Sequence, residues 1–229
     1  MSWNNKTNVE APQTLVLGSF NPFDNSENIV DYYYGRHTNH FWRSIAIIHN
    51  LNEMWFFDET NGAERKKKIM DKTFVCFDVI ESIEFSSNDF EELEKYVDGN
   101  IFRNFSDSKI WTSKTHSKNG ATIYLRRTYN QKVIDYLQEN ISVKKIIHTM
   151  GANKFPNNKA KPKERNLNEN GFEGYMGQIL EICKSKNIEF VFESLSPSDY
   201  AVKTGKVIRS ELQNFLNSNI PFDLNHKCI

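Results

Sequence analysis

Three features that narrow the class of a protein are scarce or missing here: paired cysteines, long apolar runs and net charge. Cys76, Cys183 and Cys228 lie far apart and at none of the spacings typical of a zinc site. We therefore expect isolated thiols, with no disulfide, zinc site or iron–sulfur cluster. No apolar run approaches the roughly 20 residues that span a bilayer. The polar N-terminus also lacks a signal-peptide pattern, so we expect a cytoplasmic protein with no membrane association.

The 29 Lys and Arg residues balance the 29 Asp and Glu residues, which argues against a uniformly basic nucleic-acid-binding domain. The charges are nevertheless segregated along the chain. Residues 81–99 carry seven acids and one lysine, whereas residues 103–132 carry seven basic residues and one acid. Residues 154–165 add five more basic residues. Charge runs are usually solvated surfaces, but two basic stretches on a neutral protein also suit one-sided contact with phosphates.

The pattern of apolar residues predicts the fold class. Short runs rich in Val, Ile and Phe predict buried strands at residues 14–18, 73–79, 143–150 and 188–195. Helical spacing predicts helices at about 41–48, 63–71, 88–97, 128–139, 174–184 and 208–216, the first of them capped by Asn39. This alternation predicts an α/β fold, a three-layer α/β/α sandwich around a central, mostly parallel four-stranded sheet.

We expect a single domain over residues 1–229, without internal repeats. An inserted basic loop region is expected at about 99–127, with a hairpin turn near Asn119 and Gly120. Polar clusters follow the four predicted strands, and in such folds the carboxyl ends of the strands form the ligand site. The clusters are the loop after Gly18, Asp78, the stretch from His148 and the stretch from Glu193.

Several short motifs occur in order along the chain. They are Leu17-Gly18-Ser19-Phe20, Tyr33 to Arg43 with Asn39-x-Phe41-Trp42-Arg43, Phe77-Asp78-Val79-Ile80, Met150-Gly151-Ala152 and Leu195-Ser196-Pro197-Ser198. Taken together, they resemble the motifs of the uracil-DNA glycosylase superfamily. The resemblance is greatest to the branch that includes hypoxanthine and mismatch-type DNA glycosylases.

The resemblance implies a monofunctional DNA glycosylase. Such an enzyme flips out a damaged or modified base, which here would be uracil, hypoxanthine or a modified pyrimidine. It then hydrolyses the N-glycosidic bond through an oxocarbenium-like sugar and leaves an abasic site. We expect a monomer that uses no cofactor and no metal, and whose partner is DNA that contains the altered base.

The resemblance also assigns roles to individual residues. Asn39 matches the asparagine that orients the attacking water, although a helix cap would explain it as well. Asn21 competes for that role, although turn formation before Pro22 explains it equally. His37 is a candidate for stabilising the leaving base, or else an exposed loop histidine, whereas His148 reads as buried structure.

Two further groups of residues are expected to contact the nucleic acid. The base-binding candidates are Gly18, Ser19, Phe20, Tyr34 and Asp78, whose carboxylate would accept a hydrogen bond from the base. The candidates for contact with the DNA backbone and groove are Ser194, Ser196, Pro197, Ser198, Lys154, Arg126 and Arg127. Capping, turns and core packing are the simpler explanations for several of them.

Departures from the family pattern leave the excised base open. Asn21-Pro22 stands where the family has Pro-Gly, and Asp199-Tyr200 replaces the usual residues after the serine loop. Three other functions compete with excision. The GSFNP segment also resembles ATP-binding nucleotidylyltransferases, but the His-x-Gly-His that they need after the proline is absent. The others are an inactive DNA-binding module of the same fold and a flavodoxin-like protein, for which the loop after β-strand one is a poor phosphate cradle.

Overall fold

A computed structural model describes residues 12–20, 33–98, 111–140, 142–151 and 171–221. The chain forms two compact units. The first takes in residues 1–18, 30–77 and 132–229, and the second takes in residues 19–29 and 78–131. Over the ranges that the structure describes, no helix is long and apolar enough to cross a membrane.

The four predicted strands and six predicted helices are present in the expected order, and the described residues add three strands, one short helix and a 3-10 turn. The strands are β1 (Thr14–Gly18), β2 (Phe74–Asp78), β3 (Ile80–Ser86), β4 (Lys114–His116), β5 (Thr122–Tyr129), β6 (Lys145–His148) and β7 (Glu189–Ser194). The helices are α1 (His40–Ile48), α2 (Gly62–Thr73), α3 (Phe90–Asp98), α4 (Gln131–Glu139), α5 (Phe172–Lys186), α6 (Asp199–Lys203) and α7 (Arg209–Asn219), with a 3-10 turn at Trp55–Phe57.

The first unit contains the predicted parallel sheet, with strand order β2-β1-β6-β7. All four strands are parallel and helices flank them, so the expected α/β/α sandwich is confirmed. Thr14 lies opposite Lys145 and Leu17 opposite His148, which brings the carboxyl ends of β1 and β6 together. The ends of neighbouring strands can therefore share one site, as in other open α/β sheets.

Apolar side chains fill both sides of this sheet. On one side, Val16 and Ile147 belong to a cluster that includes Phe41 and Trp42 of α1 and Leu212 of α7. The alternate strand residues Leu15, Leu17 and Ile146 are also fully buried, as are Leu137 of α4 and Ile179 of α5. Burying a large side chain of this kind stabilises the fold by about 1.5–3 kcal/mol.

Local signals set the ends of several helices. The Asn39 side chain accepts a hydrogen bond from the backbone N–H of Phe41 at 2.9 Å, which confirms the predicted cap of α1. In α3 the cap is Asp89, since its Oδ1 accepts from the N–H of Glu92 at 3.0 Å. Helix α5 ends at Asn187, which takes up the left-handed conformation that asparagine tolerates better than most residues.

The second unit differs most from the expectation. Residues 111–127, expected as part of an inserted loop, supply β4 and most of β5 of an antiparallel sheet ordered β3-β5-β4. The hairpin turn near Asn119 is confirmed, with Gly120 at φ 88°. The helix expected at 128–139 starts at Gln131, because the preceding residues pair with β3. Residues 99–110 lie outside the described ranges.

The structure describes two of the three cysteines. Cys76 and Cys183 are both buried, and burial raises the pKa of Cys183 to about 12. Cys228 lies outside the described residues.

Candidate functional site

Asn39 lies directly before α1, in a turn that several hydrogen bonds hold in place. Its backbone N–H donates to the carbonyl of Arg36 at 2.8 Å, and its Oδ1 caps α1 as described above. Arg43 strengthens the turn from the helix side, since its Nε donates to the carbonyl of His37 at 2.9 Å and its guanidinium pairs with Glu53. These contacts fix the direction of the half-buried Asn39 side chain.

The serine loop after β7, residues 194–198, meets α1 at this point. The backbone N–H of His40 donates to the carbonyl of Pro197 at 2.8 Å. Ser196 Oγ donates to Ser198 Oγ at 3.1 Å, and Ser198 caps α6 by accepting from the N–H of Ala201 at 3.2 Å. One hydrogen bond thus places the serine loop next to Asn39, more than 150 residues away in sequence.

A second tie joins the helix start to the segment after the serine loop. His40 is buried, and its Nε2 lies 3.5 Å from a carboxylate oxygen of Asp199, which also pairs with Lys203 at 2.7 Å. Burial lowers the pKa of His40, and the nearby Arg209 lowers it further, whereas Asp199 raises it. Hydrogen bonding from Lys203 lowers the pKa of Asp199. Near neutral pH the pair is therefore a neutral imidazole beside a carboxylate.

The ends of β1 and β6 come to the same edge. Thr149 follows β6, and its backbone N–H donates to the carbonyl of Leu17 at 3.0 Å. Its Oγ1 lies 2.7 Å from the hydroxyl of Tyr34, whose ring stacks on Phe41 with centroids 4.4 Å apart. Two residues further on, the N–H of Gly151 donates to Ser194 Oγ at 3.0 Å. Tyr34, the β6 end and the serine loop therefore belong to one hydrogen-bonded cluster.

Several sequence-predicted residues lie at this cluster in the first unit. They are Gly18 at the buried end of β1, Tyr34, Asn39, Ser194, Ser196, Pro197 and Ser198. His37 is exposed two residues before Asn39, and its ring meets Phe57 edge-on at 5.2 Å. The structure therefore brings Asn39 and the serine loop together, and keeps His37 in the same turn.

The remaining candidates belong to the second unit or lie outside the described residues. Ser19, Phe20 and Asp78 belong to the second unit. There the carbonyl of Ser19 accepts from the N–H of Ile80 at 3.0 Å, and that of Asp78 accepts from Asn130 Nδ2 at 2.9 Å.

Arg126 and Arg127 are on β5 of the second unit. Arg126 is exposed, and the half-buried Arg127 donates to the carbonyl of Thr112 at 2.7 Å. Asn21 and Lys154 lie outside the described residues.

His148 is a structural residue, as predicted. It is fully buried in β6, where its Nε2 lies 3.2 Å from the carbonyl of Phe192. Burial lowers the pKa of His148 to about 4 and this hydrogen bond only partly opposes the shift. It is therefore neutral at physiological pH.

Sequence reasoning missed three participants: Thr149, His40 and Asp199. Thr149 had a usable signal, because it lies near the carboxyl end of the strand predicted at 143–150, at the expected site edge. The His40–Asp199 pair had none, since its partners meet only after the chain has folded. Among the described residues, no group of three or more His, Cys, Asp or Glu is placed to hold a metal ion.

Comparisons of this chain with protein-family models, with curated proteins and with solved structures give no significant match.

Proposed function

We propose that this protein is a monofunctional DNA glycosylase that removes a damaged or modified base and leaves an abasic site. The observation that carries the proposal is the hydrogen bond from the N–H of His40 to the carbonyl of Pro197. It brings together two segments that the resemblance assigns to one reaction, the asparagine turn and the serine loop. The motifs lie far apart in sequence, so their meeting at one sheet edge is not a consequence of local structure.

Asn39 is suited to orient a water molecule. The Oδ1 atom of an amide has two lone pairs, so the capping bond to Phe41 leaves it a second acceptor position. The same bond holds the amide in place, and an oriented acceptor needs no reorganisation when the reaction begins. Attack by the water on C1′ would complete the hydrolysis as the base leaves.

The neighbouring groups suit the other parts of the substrate. The hydroxyls of Ser196 and Ser198 can donate to phosphate oxygens, as serine side chains commonly do at protein–DNA contacts. Tyr34 presents an aromatic ring beside Thr149, and flipped bases are often held by aromatic faces. His37, in the same turn, is the candidate for stabilising the departing base.

The direct test is a base-excision assay. Purified protein is incubated with oligonucleotides that contain uracil, hypoxanthine, xanthine or 5-substituted pyrimidines, and alkali-labile abasic sites are measured. We expect abasic product from at least one of these substrates. DNA binding without product from any of them would contradict the proposal and favour the inactive DNA-binding module instead.

Asn39→Ser separates catalysis from capping. Serine caps helices about as well as asparagine but lacks the amide, so we expect unchanged stability and a loss of turnover of about 100-fold or more. Asp89→Ala is the matched control, because it removes the cap of α3 in the second unit at a cost of about 1 kcal/mol and leaves every residue of the Asn39 cluster unaltered. The Asn39 assignment is wrong if N39S keeps normal turnover, and Asn21→Ala then becomes the next variant to assay.

A further inference from the structure

The antiparallel sheet of the second unit is covered on one face by α3. Phe85 of β3 lies opposite Leu125 of β5, and the Phe85 ring is 5.7 Å from that of Tyr96 in α3. Glu92 of the same helix accepts a hydrogen bond from Asn119 Nδ2 at 2.6 Å in the β4–β5 turn. Since alternate strand residues point in opposite directions, the residues between these form a second face.

That second face, called here the open sheet face, is exposed and centred on an aromatic ring. Tyr124 is on the central strand β5 and keeps 50% of its surface exposed. It lies directly opposite the exposed Lys114 of β4, and cross-strand partners have Cβ atoms about 5 Å apart. Arg126 points the same way two residues along β5, where it lies opposite Glu84 of β3.

Charge is distributed unevenly across the sheet. Helix α3, on the covered face, carries Glu91, Glu92 and Glu94. On the open sheet face, Lys114 and Arg126 flank Tyr124, and the acid Glu84 is on the β3 side. An anionic chain is therefore repelled by the α3 side and attracted to the β4–β5 side of the open face.

We propose that the open sheet face binds an unpaired DNA strand, with a base stacked on Tyr124 and phosphates at Lys114 and Arg126. An exposed aromatic ring between cations is the arrangement with which proteins hold single strands without reading sequence. Paired bases in a duplex are stacked on each other and cannot lie flat on this ring. Binding here requires no excision chemistry, so the inference goes beyond the proposed function and does not depend on it.

The test is fluorescence anisotropy of the full chain with a labelled, unmodified oligothymidine at several salt concentrations. Tyr124→Ala removes the stacking surface, and we expect binding at least about 5-fold weaker. Lys114→Gln and Arg126→Gln each remove one phosphate contact, and each should reduce the salt slope by about 0.7. All three side chains are exposed, and circular dichroism checks that the variants fold.

Two matched controls bear on specificity. Phe90→Ala removes a more exposed aromatic ring from the acidic helix of the same unit, and Lys184→Gln removes an exposed cation from α5. We expect both to bind like the unaltered protein. The proposal is overturned if the oligothymidine is not bound, if Phe90→Ala weakens binding as much as Tyr124→Ala, or if Tyr124→Ala has no effect.

Competing ligands test whether the open sheet face prefers an unpaired DNA strand. A duplex of equal length that binds as tightly as the single strand, or an RNA of equal length that binds more tightly, overturns the assignment to unpaired DNA. Loss of excision with this binding intact contradicts only the proposed function, because oligothymidine contains no base to remove.

Discussion

Tyr34 adopts a backbone conformation that an aromatic residue rarely occupies. Its φ is 58°, in the left-handed region, at a cost of about 1–3 kcal/mol. Two contacts offset that cost, namely the stacking of its ring on Phe41 and the 2.7 Å hydrogen bond between its hydroxyl and Thr149. Thr149 Oγ1 can in turn donate to the carbonyl of Leu17, so Tyr34 is best placed as the donor.

At the residue scale, a double-mutant cycle tests the hydrogen bond between Tyr34 and Thr149. Tyr34→Phe and Thr149→Val each delete one partner, and we expect each to lower the free energy of unfolding by about 1 kcal/mol. The double variant should lose less than the sum, because the shared bond is lost only once. Urea denaturation of the four proteins gives the coupling.

Excision by the same variants gives a second readout. If Tyr34 holds a flipped base, Tyr34→Phe keeps the ring and should retain most of its turnover, whereas Tyr34→Ala should not. Strict additivity of the two stability losses would show that the hydroxyls do not interact in solution.

At the element scale, a lysine of α5 donates hydrogen bonds to the carboxyl end of α4. Lys186 lies in the last turn of α5, and its Nζ donates to the carbonyls of Leu137 at 2.7 Å and Asn140 at 3.5 Å, and also to that of Gln138. The last carbonyls of a helix have no partners within it and carry partial negative charge. The Lys186 ammonium group donates hydrogen bonds to these carbonyls and offsets their partial negative charge, so it links α4 to α5.

Lys186→Met tests that tie, because methionine keeps much of the aliphatic chain and removes the ammonium group. We expect the free energy of unfolding to fall by about 1–2 kcal/mol, as measured by urea denaturation. Lys184→Met is the control on the same helix, since Lys184 is exposed and its loss should change stability by less than about 0.5 kcal/mol. Equal losses in the two variants would contradict a specific role for Lys186.

At the scale of the whole molecule, the buried His148 makes stability depend on pH. Its pKa is lowered to about 4 in the folded chain, against 6.5 as the ordinary value. Below pH 6.5 the unfolded chain binds a proton that the folded chain does not. The stability is therefore complete above pH 6.5 and is lost as the pH falls toward 4.

We expect His148 alone to account for about 2 kcal/mol of lost stability between pH 7 and pH 5. His148→Gln removes the titration while keeping a group that can hydrogen-bond the carbonyl of Phe192. The pH dependence of the unfolding free energy over this range should then become shallower. His40 and His49, whose pKa values burial also lowers, keep some slope in the variant. An unchanged slope would show that His148 titrates normally in the folded protein.

The sequence by itself determined the parallel sheet and most of its helices. Buried strands such as β1 and β6 are short apolar runs, and Asn39 with the residues that follow it predicts the cap of α1. These features depend on neighbouring residues, so local patterns reveal them. The family resemblance, from which the roles of Asn39 and the serine loop were predicted, likewise depends only on the order of short motifs.

Only the tertiary structure decided which of those motifs meet. The bond from His40 to Pro197 and the contact of Tyr34 with Thr149 join residues far apart in sequence, and no local pattern encodes such a pairing. The same holds for the antiparallel sheet. β4 and β5 carry polar and charged residues on their open face, so their sequence pattern resembles that of a loop. Only their pairing partners identify them as strands. Strand pairing depends on distant neighbours, and this is the physical reason that the second unit was visible only once the chain had folded.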